Sequence, residues 1–297
     1  LMGAYYRALF VREGVLKGKA DEDTARVYFR ADSDQRTIET GRDLAAELLP
    51  GAQPDLHARP DQATDPMFRP VKVPVGHPDR DRAVAAVLGR MGGDPANVIQ
   101  AVQPAFAALH QVLFGDGGVP AGKLWVLDLP SVVRPGESDH TVSIPGSLET
   151  AKNLTEALLL EYADGMPLEK VGWGRLSPQT LTQLLQLHSL YFNLADATFY
   201  PAQVQASNLA THILATIDQA ASGRPAPGAF GTLDHRLVVV VGHDTNIVNL
   251  GGLLGLGWWL PGTQMNPVLP GGALIFELRQ RHRDAQFVVR TYYVSQT

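Results

Sequence analysis

The order of apolar and polar positions divides the chain into recognisable elements. Met2, Tyr5, Tyr6, Leu9, Phe10 and Val11 fall at helical spacing, and Gly14 follows as a stop. Arg26–Arg30 reads as a short strand and leads through the polar corner "ADSDQRT" into a helix that ends at Pro50 and Gly51. Residues 53–78 are rich in Pro, Asp and Arg and carry no period, so an irregular excursion is expected. Helical patterns resume from Asp79: "RDRAVAAVLGRMGG" and "VIQAVQPAFAALHQVLFG" each read as one helix, and "PSVVRPGESDHTVSIPGS" as a loop. Three amphipathic helices follow. They are "LETAKNLTEALLLEYADG", a segment opened by Ser177 and Pro178, and one closed by Gly223. The strand pattern then returns in "RLVVVVGHD", "GGALIFELRQ" and "QFVVRTYYV". The first of these is apolar almost throughout, as for a strand buried on both faces.

Strand–helix units at both ends with a helical middle predict an α/β fold: a largely parallel sheet flanked by helices and interrupted by a mostly helical insertion domain. The predicted boundaries are 1–74 for the first part of the α/β domain, 75–194 for the insertion and 195–297 for the second part. With 297 residues, 45% hydrophobic and 19% charged, the chain is globular and large enough for a sizeable core. Its longest apolar runs are far too short to span a bilayer, so no membrane partner is expected. A net charge of −5 argues against nucleic acid as a partner but leaves room for a locally basic pocket. The absence of cysteine excludes disulfides and zinc–thiolate sites.

Candidate chemistry sits where apolar runs stop abruptly. "VVVVGHDTN" follows four valines with a glycine, an imidazole and a carboxylate, at the carboxyl end of a strand and just before a helix. Ligands of open α/β sheets bind at that edge, and a helix N-terminus offers free amide donors to an anion. The plainer alternative is a capping corner, with Asp244 or Thr245 as N-cap and His243 packed on the sheet. Arg36 follows the first strand in the same way and can reach the same edge, where a guanidinium clamps phosphate oxygens in a planar fork. Its plainer alternative is a surface arginine paired with Asp32 or Asp34. On the insertion, Asn153 and Glu156 share one helix face at i and i+3, and Glu156 serves either a cleft or solvent. "GGLLGLG" lacks dinucleotide-fingerprint spacing, no P-loop is present, and the basic "RHR" around His282 reads as a solvated edge in a strand hairpin.

Taken together, "ADSDQRTIETGRDLAAELLPG", "GMPLEKVGWGRL", "VVGHDTNIVNLGGLL" and "LPGGALIFEL", in that order, resemble the histidine acid phosphatase family, in particular its bacterial phytase and glucose-1-phosphatase branch. The resemblance implies the histidine phosphatase (phosphoglycerate-mutase-like) architecture and a two-step phosphoryl transfer through a phosphohistidine. It implies no cofactor and no metal, a small phosphomonoester such as phytate or a sugar phosphate as partner, and a periplasmic or secreted location. Carried over by position, Arg36 is a phosphate clamp, His243 an oxyanion stabiliser that also binds phosphate, and Asp244 the proton donor. Glu156, Asn153 and Thr245 face the substrate. The family's nucleophile lies in an Arg-His-Gly-x-Arg-x-Pro motif, and none of the nine histidines here stands between Arg and Gly. The expectation is therefore a chain truncated at both ends and inactive as it stands, a phytase-like hydrolase when complete. Its alternatives are a glucose-1-phosphatase, a broad-specificity acid phosphatase or a non-catalytic, anion-binding pseudophosphatase. A metal-dependent HD-type phosphohydrolase is a further alternative, but it requires the His-Asp pair on a helix rather than after a strand.

Overall fold

The computed structural model describes residues 2–73, 77–138, 140–281 and 283–295. Contacts divide the chain into two compact units. One comprises Leu1–Val75, Ala206–Ile247 and Gly271–Thr297, the other Gly76–Gln205 and Val248–Pro270. Relative to the boundaries expected from sequence, residues 195–205 and 248–270 fall in the helical unit rather than in the α/β unit. The changes of unit at 205/206 and 247/248 lie inside continuous helices, where no Pro, Gly or charge shift marks them, whereas the return to the α/β unit falls at Pro270-Gly271.

The α/β unit opens with helix α1 (Met2–Arg12), the single turn α2 (Ala20–Asp23) and strand β1 (Val27–Ala31). Asp23 is buried and accepts backbone N–H bonds from Lys17 (2.8 Å), Gly18 (2.8 Å) and Lys19 (3.2 Å), which fixes the approach to β1. Along β1 the burial alternates, with Val27, Phe29 and Ala31 buried on one face and Tyr28 and Arg30 on the other. Phe29 packs with Tyr6 of α1 and with Ala45 and Leu48 of α3 (Gln35–Leu48) in one core. Burying a side chain such as Phe29 is worth about 1.5–3 kcal/mol. Strand β2 (Leu56–His57) then adds in parallel to β1.

The helical unit begins with α4 (Arg80–Arg90), capped by the Asp79 side chain accepting from Arg82 N at 2.9 Å. The single helix expected over "VIQAVQPAFAALHQVLFG" is two, α5 (Pro95–Ala101) and α6 (Gln103–Phe114), bent by 70°. Pro104 explains the break, because it lacks an N–H and clashes with the preceding turn, so Val102 leaves the helical conformation. No single helix among the described residues is long and apolar enough to cross a membrane. Within the expected loop, β3 (Arg134–Pro135) and β4 (Val142–Ser143) pair antiparallel. Helices α7 (Ser147–Ala163) and α8 (Pro178–Ala195) follow, and Ser177 Oγ caps α8 by accepting Thr180 N at 3.0 Å. Phe106, Leu109, Ile144, Leu148, Leu184 and Leu187 form the fully buried centre of this unit. Helix α9 (Phe199–Ser222) ends at Gly223, whose φ of 66° suits a helix stop.

Back in the α/β unit, β5 (Leu237–Val241) pairs in parallel with β1 from Val27↔Leu237 to Ala31↔Val241, giving the order β2-β1-β5. Among the described residues no strand pairs with the other edge of β5, and four of its five residues are only partly buried. The burial on both faces expected from its composition is thus incomplete, because β5 is an edge strand here. Helix α10 (Asp244–Leu254) leaves its carboxyl end. Strands β6 (Ala273–Gln280) and β7 (Phe287–Val294) form an antiparallel sheet of their own, in register from Ala273↔Val294 to Gln280↔Phe287. His282, between them, lies outside the described residues.

Candidate active site at the carboxyl edge of the parallel sheet

Because β1 and β5 are parallel and in register, their carboxyl ends lie side by side. Asp32 N donates to Val241 O at 2.9 Å, one step beyond the last strand pair, so the chain leaves both strands at one edge. Beyond β1 come Asp32, Ser33 and Asp34. Beyond β5 come Gly242 and His243, then Asp244 as the first residue of α10. The position of the His-Asp pair, after a strand and not within a helix, is the one its sequence context predicts.

The His243 side chain is 9% exposed, and its Nε2 lies 3.1 Å from Asp32 Oδ2 and 3.2 Å from Asp34 Oδ2. A guanidinium completes the cluster, but it belongs to Arg69. Arg69 Nη2 is 2.6 Å from His243 Nε2 and pairs with Asp34, while its Nε is 3.2 Å from Asp32 Oδ2. The Nε2 of His243 accepts from Arg69 in one tautomer and donates to the carboxylates when protonated. Asp32 is fully buried. Burial opposes its ionisation, but the contact with His243, the Ser33 N–H at 2.7 Å and the charge of Arg69 together hold the carboxyl below its ordinary range. Thr37, in the first turn of α3, donates its hydroxyl towards Asp32 O (2.8 Å) and Asp34 O (2.7 Å) and so shapes the loop.

The residues behind the cluster hold it in place. Asn246 is buried, accepts His243 N at 2.9 Å through Oδ1, and donates from Nδ2 to Phe68 O at 2.9 Å. One side chain thereby ties the turn carrying His243 to the turn carrying Arg69. Gly242 makes room for it, since a Cβ there would lie 2.6 Å from Asn246 Oδ1 and 3.0 Å from the Phe68 ring. The Arg69 turn is fixed from its other end by Asp65, also buried. Asp65 pairs with Arg30 of β1 and accepts Met67 N at 3.0 Å, while its carbonyl accepts Arg69 N at 2.9 Å.

The other candidates lie elsewhere or in other contacts. Arg36 is exposed on the first turn of α3 and makes no side-chain hydrogen bond or ion pair among the described residues. Asp32 and Asp34, its possible surface partners, pair with Arg69 and His243 instead. Asp244 Oδ1 accepts Thr245 N at 2.7 Å, a local contact at the helix start, and both side chains are partly exposed. Glu156 belongs to the helical unit, where it pairs with Lys152 at 2.5 Å, and Asn153 is exposed on the same helix. Sequence reasoning missed Arg69, Asp65 and the bridging role of Asn246. The only sequence signal for Arg69 is an arginine in an aperiodic segment, and Asn246 was within reach as the last residue of the quoted "GHDTN".

One imidazole, two carboxylates and one guanidinium at a sheet edge can bind an anion or a cation and move a proton. The ligand atoms of Asp32, Asp34 and His243 lie within 4.8 Å of one another, close enough for a metal ion, and Arg69 supplies a fixed positive charge to the same three groups.

Comparison with known proteins narrows that range. The profile of the histidine phosphatase superfamily (branch 2) matches residues 148–294. Phytase AppA of Escherichia coli (strain K12) is 34% identical over 310 residues, covering 100% of this chain and 69% of that protein. A glucose-1-phosphatase of Providencia rettgeri is 26% identical, over 100% of this chain and 69% of its own length. Among solved structures, the Hafnia alvei phytase in complex with tartrate has a TM-score of 0.86 at 33% identity, covering 100% of this chain and 73% of that one. The phytase from Citrobacter braakii has a TM-score of 0.83 at 33% identity, with 99% and 73% covered.

Proposed function

The chain belongs to the histidine phosphatase superfamily, branch 2, and from that membership we propose that it is a phosphomonoester hydrolase of the acid phosphatase kind, phytase-like in its substrate. The observation that carries the reading is the His-Asp pair at the carboxyl edge of a parallel sheet, in a chain related over its whole length to a phytase.

In this reading His243 hydrogen-bonds a phosphoryl oxygen and stabilises the charge that builds on it in the transition state. Asp244, one residue further and partly exposed, protonates the leaving alkoxide. Arg36, free of protein partners among the described residues, clamps phosphate oxygens. Thr245 contacts the remainder of the substrate. The phosphohistidine route also needs a nucleophile, and no histidine of this sequence stands between Arg and Gly. These 297 residues therefore supply the phosphate-holding and proton-donating half of the site and form no phosphohistidine by themselves. A periplasmic or secreted location belongs to the same reading.

The test compares the chain with a version bearing an Arg-His-Gly-x-Arg-x-Pro segment ahead of Leu1, assayed with phytate, glucose 1-phosphate and an aryl phosphate at acidic pH. We expect no turnover from the chain. From the longer version we expect turnover that His243→Ala abolishes and an acid-quenched phosphohistidine. Robust, metal-independent turnover by the chain alone, lost in His243→Ala, would show that the nucleophile is misassigned. A kcat/KM ratio of phytate to glucose 1-phosphate well below one rejects the phytase-like substrate and leaves the phosphatase reading standing.

A further inference from the structure

Two carboxylates lie within 3.2 Å of the imidazole nitrogen that the phosphomonoesterase reading gives to phosphate. An anion approaching His243 must come close to both Asp32 and Asp34, so the site needs a cation of its own in that position. Arg36 is exposed and in contact with neither. Arg69 touches all three groups.

We propose that Arg69 is a further phosphate-binding residue of this site, which keeps its hold on Asp32 and exchanges Asp34 for a phosphate oxygen when substrate enters. The inference rests on the phosphomonoesterase reading. Its two carboxylate partners differ in the way such an exchange requires. Asp32 is fully buried, 3.2 Å from Nε, and its charge has no water to turn to, whereas the Asp34 side chain is 37% exposed and is free to turn to water. Arg69 itself is 19% exposed, and its Nη1 makes no hydrogen bond among the described residues, so the outer part of the fork remains uncommitted. Planar guanidinium suits this exchange, since carboxylate and phosphate present oxygens to the same two-pronged donor set. The backbone under it is held still by Asp65 on one side and by the Asn246–Phe68 bond on the other. The backbone that carries the guanidinium is thus positioned before substrate arrives, which lowers the ordering cost of binding.

Inorganic phosphate is the probe, titrated calorimetrically into the wild-type chain and into Asp34→Asn, Arg69→Ala, Arg69→Lys and Arg36→Ala, with thermal melts to confirm folding. Asp34→Asn removes the competing carboxylate and is expected to tighten phosphate binding by about 3- to 10-fold, a change no merely structural role of Asp34 would give. Arg69→Ala is expected to weaken binding by at least about 10-fold, and Arg69→Lys to fall between, keeping the charge and losing the fork. Asp34→Asn, at a partly exposed side chain, keeps the experiment decisive if Arg69→Ala does not fold. Unchanged or weaker binding in Asp34→Asn, or wild-type binding in Arg69→Ala, overturns the proposal. If binding survives Arg69→Ala and is lost in Arg36→Ala, the phosphatase reading stands and only this inference falls. If the wild-type chain binds no phosphate, both fall.

Discussion

The contact between Gly242 and Asn246 allows a quantitative test of how the site is held. Asn246→Ala removes two hydrogen bonds, one from His243 N and one to Phe68 O, both 2.9 Å long. Each is worth about 0.5–1.5 kcal/mol net, and a buried partner left unpaired costs about 1–3 kcal/mol, so the variant should lose about 2–4 kcal/mol. Gly242→Ala reaches the same bonds from the other side. Its Cβ would lie 2.6 Å from Asn246 Oδ1, so the amide must move, and overpacking of this kind costs about 1–3 kcal/mol. Since both substitutions break the same bonds, their costs cannot add. The double variant should be only slightly less stable than the worse single one, with a coupling of about 1–3 kcal/mol in a double-mutant cycle. Urea unfolding supplies the energies, and hydrogen exchange over residues 64–73 shows whether the Arg69 turn loosens in each variant. Additivity within about 0.5 kcal/mol, or exchange at 64–73 that is unaffected by Asn246→Ala, refutes the bridge.

Other consequences can be checked alongside. Asp32, held below its ordinary range in the folded state, contributes stability that is present above its unfolded pKa of about 3.9 and lost as pH falls through the lower folded value. Acid unfolding of Asp32→Asn should therefore show a flatter low-pH limb, and an unchanged limb would contradict the assignment. In the version bearing the Arg-His-Gly segment, Asp244→Asn should slow alkyl phosphates by roughly 10²–10⁴-fold and aryl phosphates much less, and equal losses would mean that Asp244 only positions the site. Ser177→Ala should cost about 1 kcal/mol through loss of the α8 cap, measured by thermal unfolding, and no change would place the helix start elsewhere.

The parts of the fold readable from sequence are those in which composition changes abruptly. Four valines ending in Gly-His-Asp announce a strand edge, and Ser177-Pro178 announces a helix start, because each step has a local physical cause. Pro104 carried the same kind of local signal for the break between α5 and α6, and the apolar run around it hid that signal. Arg69 had none. It stands in an aperiodic Pro- and Asp-rich stretch, and its place beside His243 is set by the neighbouring Asp65 and Phe68, which are themselves held by Arg30 and Asn246, residues remote in sequence. Arg36 shows the converse. It occupies the position the motif suggests, yet no side-chain hydrogen bond or ion pair holds it among the described residues.

The unpaired side of β5 also bears on how the chain behaves in a concentrated solution. Leu237–Val241 carries five apolar side chains, and no Lys, Pro or bulge interrupts the row of amides and carbonyls that is unpaired among the described residues. Natural sheets protect such a row with charge or a break, because it is a template on which another extended segment can grow. Among the described residues nothing covers this row at the strand that delivers His243 to its place. In these 297 residues the open edge and the chemistry therefore share one backbone, and a substitution that made the strand more polar, such as Val239→Lys, would disturb the footing of the imidazole as well.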